Sequence, residues 1–229
     1  MCSLVSESVS SSKIRLVERD YRVLREIDRW RAITGRQIAK LAGFSSEQTG
    51  DRRLKKLIAA GLVDRKRVLY GVPYLYSLTA KGKSLIASPP YKEKFRIEQI
   101  RHDLAVVDTA IYFHQRLFIP YENMLSEKQL HRLDGFSNRK HRPDLVFTDG
   151  KQKNTCAEIE LSLKAKERLK KNIKDNFMNY DLQIWVVPSL QHKIADILQS
   201  EKDVYNDIEI LELKEVSTNG IYTGFHQAE

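Results

Sequence analysis

The stretch that decides the fold of the first half runs Ala60-Gly61-Leu62-Val63-Asp64-Arg65-Lys66-Arg67-Val68, then Gly71-Val72-Pro73, then Tyr74-Leu75-Tyr76-Ser77-Leu78-Thr79-Ala80-Lys81-Gly82. Gly61 stands where an ending helix wants a left-handed residue, a conformation without steric cost for glycine. Leu62 to Val68 reads as a strand, Gly71-Val72-Pro73 as a turn and Tyr74 to Leu78 as the returning strand. Thr79 then caps a short helix reaching Ile86. The stretch is a β-hairpin set between two helices, with the basic run Arg65-Lys66-Arg67 on its first strand.

Upstream, Tyr21, Leu24, Ile27 and Trp30 recur at three-residue steps from Glu18, the pattern of an amphipathic helix. Thr34 caps a second, short helix from Gly35 to Leu41, with Ile38 and Leu41 facing inward. Ala42-Gly43-Phe44 makes a turn, and Ser45 or Ser46 caps a third helix reaching about Ala60. Two short helices around a glycine-containing turn form a helix-turn-helix signature. Leu54, Leu57 and Ile58 are the third helix's apolar stripe and must face the first helix. That leaves Gln48, Thr49, Arg52, Arg53 and Lys56 mostly outward, where a recognition helix meets base edges. Arg reads guanine and Gln reads adenine, while Ser46 at the cap suits a phosphate. The same residues also suit a plain solvated helix face. The ordered set Ala60-Gly61-Leu62-Val63 and Tyr76-Ser77-Leu78-Thr79-Ala80-Lys81-Gly82 resembles the end of many bacterial winged-helix domains, over about residues 18–88. The hairpin is then the wing, with Arg65, Lys66 and Arg67 placed against the sugar-phosphate backbone of double-stranded DNA.

Charge divides in the same place. Residues 1–90 carry 18 Lys+Arg against 8 Asp+Glu, a balance of +10, and residues 91–229 carry 21 against 22, a balance of −1. A module that neutralises phosphates and releases counterions is expected to concentrate basic charge in this way. The remaining composition, 41% hydrophobic and 30% charged, is that of an ordinary globular chain. No apolar run is long enough to span a bilayer, and the N-terminus lacks the order of a signal peptide, so a cytoplasmic protein with no membrane partner is expected. Cys2 and Cys156 form neither metal-type nor disulfide-type spacing.

The expected organisation is a serine-rich tail over 1–17, the winged helix over 18–88, a linker over 89–95 broken by Pro89-Pro90, and a second domain over 96–229. Beyond the linker the pattern predicts a long helix from Phe95 to Phe118, with a stripe of Ile97, Ile100, Leu104, Val107, Ile111 and Leu117. Strands are predicted over Asn123–His131, Pro143–Phe147 and Thr155–Leu163, then a basic helix over Lys164–Asn179. A buried strand over Leu182–Val187, a helix over Gln191–Gln199 and a last strand over Asp207–Leu213 follow. The fold class is therefore α/β (α+β), with a mixed sheet in the second domain.

Pro143-Asp144, followed after thirteen residues by Glu158-Ile159-Glu160, resembles the PD-(D/E)xK nuclease superfamily, the restriction-endonuclease-like fold. Residues two apart on a strand share a face, so Glu158 and Glu160 point the same way and Asp144 can join them from the neighbouring strand. The resemblance implies Asp144 and Glu158 as ligands of a catalytic Mg²⁺ or Mn²⁺ that polarises the scissile phosphate and activates water. It also implies a further acidic residue on the preceding helix, for which Glu98 and Glu127 compete. Glu160 stands where the superfamily usually has lysine; either Glu160 acts on the attacking water or Lys164 takes that role. The alternative is structural: Asp144 opens a strand and the glutamates line a solvent face.

Lys164, Lys166, Arg168, Lys170, Lys171 and Lys174, and the loop Ser137-Asn138-Arg139-Lys140-His141-Arg142, place further basic charge around these carboxylates. The six histidines are scattered, and His102 reads as a packed or capping residue. With the winged helix, His102-Asp103-Leu104 and the Pro143-Asp144 and Glu158/Glu160 pair, the chain is similar to the replication-relaxation group of plasmid and mobile-element proteins, over about 18–190. The resemblance implies a role in replication, transfer or maintenance of mobile DNA, with a DNA endonuclease or nickase as the expected activity. The rival is a non-catalytic regulator or replication accessory whose second domain forms a homodimer or docks a partner.

Overall fold

Asp20 starts the first helix: its carboxylate accepts the Val17 N–H at 2.7 Å, and α1 (Glu18–Arg29) follows with Val23, Leu24 and Ile27 buried on one side. The computed structural model describes residues 14–68, 70–89, 95–135, 140–163 and 165–217. Most of the expected tail, residues 90–94 of the linker, Ser137-Asn138-Arg139 and Lys164 lie outside the described residues.

Helix α2 (Gly35–Leu41) is capped by Thr34 and α3 (Glu47–Ala59) by Ser46, whose hydroxyls accept the N–H groups of Gln37 (3.3 Å) and Thr49 (3.2 Å). The end of α3 closes with a paired motif: Gly61 N–H donates to Ile58 O (2.8 Å) and Leu62 N–H to Leu57 O (3.0 Å). Gly61 carries the required positive φ of 70°. Strands β1 (Val63–Lys66) and β2 (Leu75–Leu78) pair antiparallel with Val63 opposite Leu78, and α4 (Ala80–Leu85) follows its Thr79 cap. Gly82 of α4 lies so close to β1 that an added Cβ would stand 2.1 Å from Leu62 O.

The second half opens with a 3₁₀ turn at Ile97–Gln99 and then α5 (Ile100–Leu117), a helix buried almost continuously from Leu104 to Ile111. It continues through β3 (Met124–Ser126), α6 (Glu127–Asp134), β4 (Leu145–Thr148), β5 (Asn154–Ile159) and α7 (Lys166–Phe177). It ends with β6 (Leu182–Val187), α8 (Lys193–Lys202), β7 (Ile208–Glu212) and α9 (Leu213–Val216). The sheet runs β3-β4-β5-β6-β7, with the first two pairings antiparallel and the last two parallel. The fold is thus α+β with a mixed sheet, as expected. On β6 alternate residues serve two cores: Ile184 and Val186 pack in the cluster that contains α5, and Trp185 and Val187 in the one built by α7 and α8.

One expected strand is largely a helix. Of Asn123–His131 only Met124–Ser126 pairs in the sheet, because Ser126 and Gln129 form a capping box that turns the chain into α6. Strand β5 also stops at Ile159, four residues before the expected Leu163, so Glu160 stands just past its end.

The two halves share one core. The cluster holding Leu24, Ile38 and Leu57 also holds Leu104, Ile111, Phe147 and Val186. Buried polar contacts cross the same boundary: Gln37 Nε2 donates to Leu104 O (3.0 Å) and to Asp108 Oδ1 (2.9 Å). The last carbonyls of α1, which no helix can satisfy internally, are met from the second half. Ser126 Oγ donates to Arg29 O (3.1 Å), and Lys128 Nζ donates to the carbonyls of Asp28 and Trp30. Arg132 adds an ion pair to Asp28 at 2.7 Å.

Candidate functional site

Two surfaces carry the residues singled out in the sequence. On α3, Gln48, Thr49, Arg52 and Lys56 are exposed, as the apolar stripe requires. Ser46 is engaged as the cap and shares a hydrogen bond with the Thr49 hydroxyl at 2.9 Å. Arg53 departs from the outward expectation. Its guanidinium forms a two-pronged ion pair with Asp20, which is 1% exposed, and donates to Arg15 O at 2.9 Å. It fastens α3 to the start of α1, because a buried carboxylate requires a cation. On the hairpin Arg65, Lys66 and Arg67 are all exposed. The guanidiniums of Arg65 and Arg67 lie 4.8 and 5.2 Å from the Tyr74 ring centroid, which limits their freedom.

The second surface is a cleft of about 610 Å³ floored by carboxylates. Asp144 immediately precedes β4 and Glu158 lies on the adjacent β5; both are 8% exposed. Asp144 Oδ2 accepts the Ile159 N–H (2.8 Å) and contacts His102 Nε2 (3.1 Å), from the first turn of α5. Glu158 Oε1 contacts His141 Nε2 (2.6 Å) and accepts from Asn176 Nδ2 (3.0 Å), on α7. Glu160, half-buried, and Glu98, exposed on the 3₁₀ turn, line the same cleft. Glu127 lines it too, but is committed to Arg31 (3.0 Å) and His131 (3.2 Å).

The electrostatics separate the two carboxyls. Burial opposes ionisation of Asp144, yet the charge and hydrogen bond of His102, the Ile159 N–H and Arg31 hold it below the usual carboxylate range. Burial pushes Glu158 up, and the charge of Asp144 adds to that push against the bonds from His141 and Asn176. Burial would depress His102, but Asp144 and Asp103 raise it to about 11. His141 is raised by Glu158 in the same way, again against burial. A neighbouring pair with carboxyls pushed in opposite directions is suited to acid and base roles.

His102 and His141 are the residues that the sequence reading left outside the site. His102 had one signal, its place in His102-Asp103-Leu104. Nothing in the sequence pairs His141 with Glu158, because loop and strand meet only in the fold. Among the described residues no group of three or more His, Cys, Asp or Glu is arranged to hold a metal ion. The donors present nonetheless fit Mg²⁺ or Mn²⁺. Asp144 and Glu158 line one cleft, their hydrogen bonds to His102, Ile159, His141 and Asn176 engage Oδ2 and Oε1, and Mg²⁺ is commonly held by one or two carboxylates with water and phosphate oxygens completing the shell.

Fold and site together define an α+β protein whose N-terminal helices and hairpin are packed against a mixed sheet with a carboxylate cleft. The replication-relaxation family model matches residues 24–180, and the chain belongs to that family. Family membership suggests a role in plasmid or mobile-element replication or transfer. Comparison with curated proteins returned no match, and neither did comparison with solved structures. No helix among the described residues is long and apolar enough to cross a membrane.

Proposed function

We propose that this protein binds double-stranded DNA of a plasmid or mobile element through a winged helix, and presents it to a nuclease-like cleft for Mg²⁺- or Mn²⁺-dependent cleavage or nicking. The observation that carries the reading is that Asp144, just before β4, and Glu158, on the adjacent β5, line one cleft, in a chain whose whole basic excess lies in residues 1–90. In this reading α3 offers Gln48, Arg52 and Lys56 to base edges and the hairpin lays Arg65, Lys66 and Arg67 on the backbone. A divalent cation held by Asp144 and Glu158 would polarise the phosphodiester and supply an activated water. Glu160, which lines the cleft past the end of β5, would act on that water, and His102 and His141 would orient the two carboxylates.

Plasmid is incubated with Mg²⁺ or Mn²⁺ and wild type, Asp144→Ala or Glu158→Ala. Cutting by wild type alone supports the reading; equal residual cutting by all three sinks it. For the address, Arg52→Ala should cost about 1–3 kcal/mol at the chosen site, and Lys66→Ala should lower the salt slope by about 0.9.

A second reading has its own observation: both carboxylates already have histidine partners, at 3.1 and 2.6 Å. The cleft is then a structural ion-pair cluster, and the second half docks a partner or a second copy. Failure of Mn²⁺ to bind near Asp144 and Glu158 in a crystal soak would select it.

A further inference from the structure

Arg31 belongs to the first half by sequence, yet it lines the cleft beside Asp144 and His102. It follows Trp30, the C-cap of α1, which is 3% exposed. Its backbone cannot move independently of the sheet domain. The Asp28, Arg29 and Trp30 carbonyls all accept hydrogen bonds from Ser126 and Lys128, and Arg29 donates to Tyr121 O at 2.8 Å and to Met124 O. The side chain is 39% exposed and is paired with Glu127 through Nη2 at 3.0 Å. A guanidinium has five N–H donors in a fork, so most remain for a second anion.

We infer that Arg31 is a phosphate-binding residue of the cleft, a guanidinium delivered by the N-terminal half to hold the backbone of a DNA strand over the carboxylates. The inference rests on the proposed nucleic-acid reading of that cleft. Arg168, on α7, lines the same cleft and adds positive charge there. The contact is with the phosphates of the one strand that lies in the cleft, and a short single strand presents those phosphates by itself. In the free protein Glu127 holds one prong, Nη2, and its negative charge opposes a phosphate at the others. Because Arg31 is rigidly joined to α1, the strand is held at a fixed offset from α3.

The test uses the full chain and a fluorescein-labelled single strand of about 12 nucleotides, followed by anisotropy in EDTA over a salt series. Arg31→Ala should weaken binding about tenfold and lower the slope of log K against log salt by about 0.7. Glu127→Gln should tighten binding, because it removes the opposing charge, while Arg31→Lys should fall between wild type and Arg31→Ala. A salt bridge with only a structural role would move Arg31→Ala and Glu127→Gln in the same direction, and that result overturns the inference. So does sensitivity to Lys66→Ala alone, which puts the strand on the hairpin, and so does absence of strand binding by wild type. Plasmid nicking by the same proteins in Mn²⁺ is scored separately. No nicking by any of them, with strand binding still dependent on Arg31, removes the catalytic reading and leaves the phosphate contact standing.

Discussion

Arg52 and Arg53 are chemically identical neighbours on one helix, and the fold gives them opposite work. Arg52 is exposed, whereas Arg53 closes on a buried Asp20. Arg53→Ala should therefore lose about 3 kcal/mol of stability, the cost of leaving a buried carboxylate without its cation. Arg52→Ala should stay within about 0.5 kcal/mol. Urea unfolding of the two variants measures the difference, and equal midpoints would contradict the assignment. The stripe Leu54, Leu57 and Ile58 predicts which side of α3 is covered, but position 53 sits at its margin. Only the placement of the α1 N-terminus shows which way Arg53 turns. The carboxylates follow the same logic. Asp144 and Glu158 stand out in the sequence through the resemblance of their motif, while His102 and His141 became their partners through contacts 42 and 17 residues apart.

At the scale of elements, caps and turns carried most of the legible signal, because they are local. Thr34, Ser46 and Thr79 all cap helices where their hydroxyls predict it, and Gly61 ends α3 with the expected left-handed φ. The same chemistry explains why Asn123–His131 departs from a strand: Ser126 and Gln129 form a capping box that turns the chain into α6. Close approach between elements is a different kind of fact. Gly82→Ala gains about 1 kcal/mol of helix propensity, yet its Cβ would stand 2.1 Å from the Leu62 carbonyl oxygen, a backbone atom with little room to retreat. The variant should lose at least about 2 kcal/mol net, since overpacking of this severity outweighs propensity. A calorimetric melt at or above the wild-type temperature would show that α4 is free to shift away from β1.

The whole molecule holds one tryptophan in each half: Trp30 at the end of α1 and Trp185 on β6. A shared core and the trans-capping of α1 by Ser126 and Lys128 predict that the halves unfold together. Fluorescence of Trp30→Phe and Trp185→Phe variants, each followed in urea, should give coincident transitions after correction for the substitution; two separated transitions would mean independent domains. The Asp28–Arg132 contact adds a pH dependence. Burial opposes ionisation of Asp28, but the bond to Arg132, the charge of Lys128 and the Ser88 hydroxyl hold it below its ordinary range. A carboxyl depressed in the folded state contributes fully above its unfolded value of about 3.9 and loses that contribution as pH falls through the folded value. Asp28→Asn should therefore be less stable than wild type at neutral pH, with the gap closing in acid. A gap that stays constant down to about pH 2 would remove Asp28 from the acid response.

By itself the sequence determined most element types, the caps and the basic first half, because periodicity, capping and charge act over a few residues. The tertiary structure decided the rest. It turned Arg53 inward, gave Asp144 and Glu158 their histidine partners, brought Arg31 to the cleft and joined the two halves through a shared core. Those outcomes depend on which surfaces meet, and burial sets their energies, so no local pattern records them.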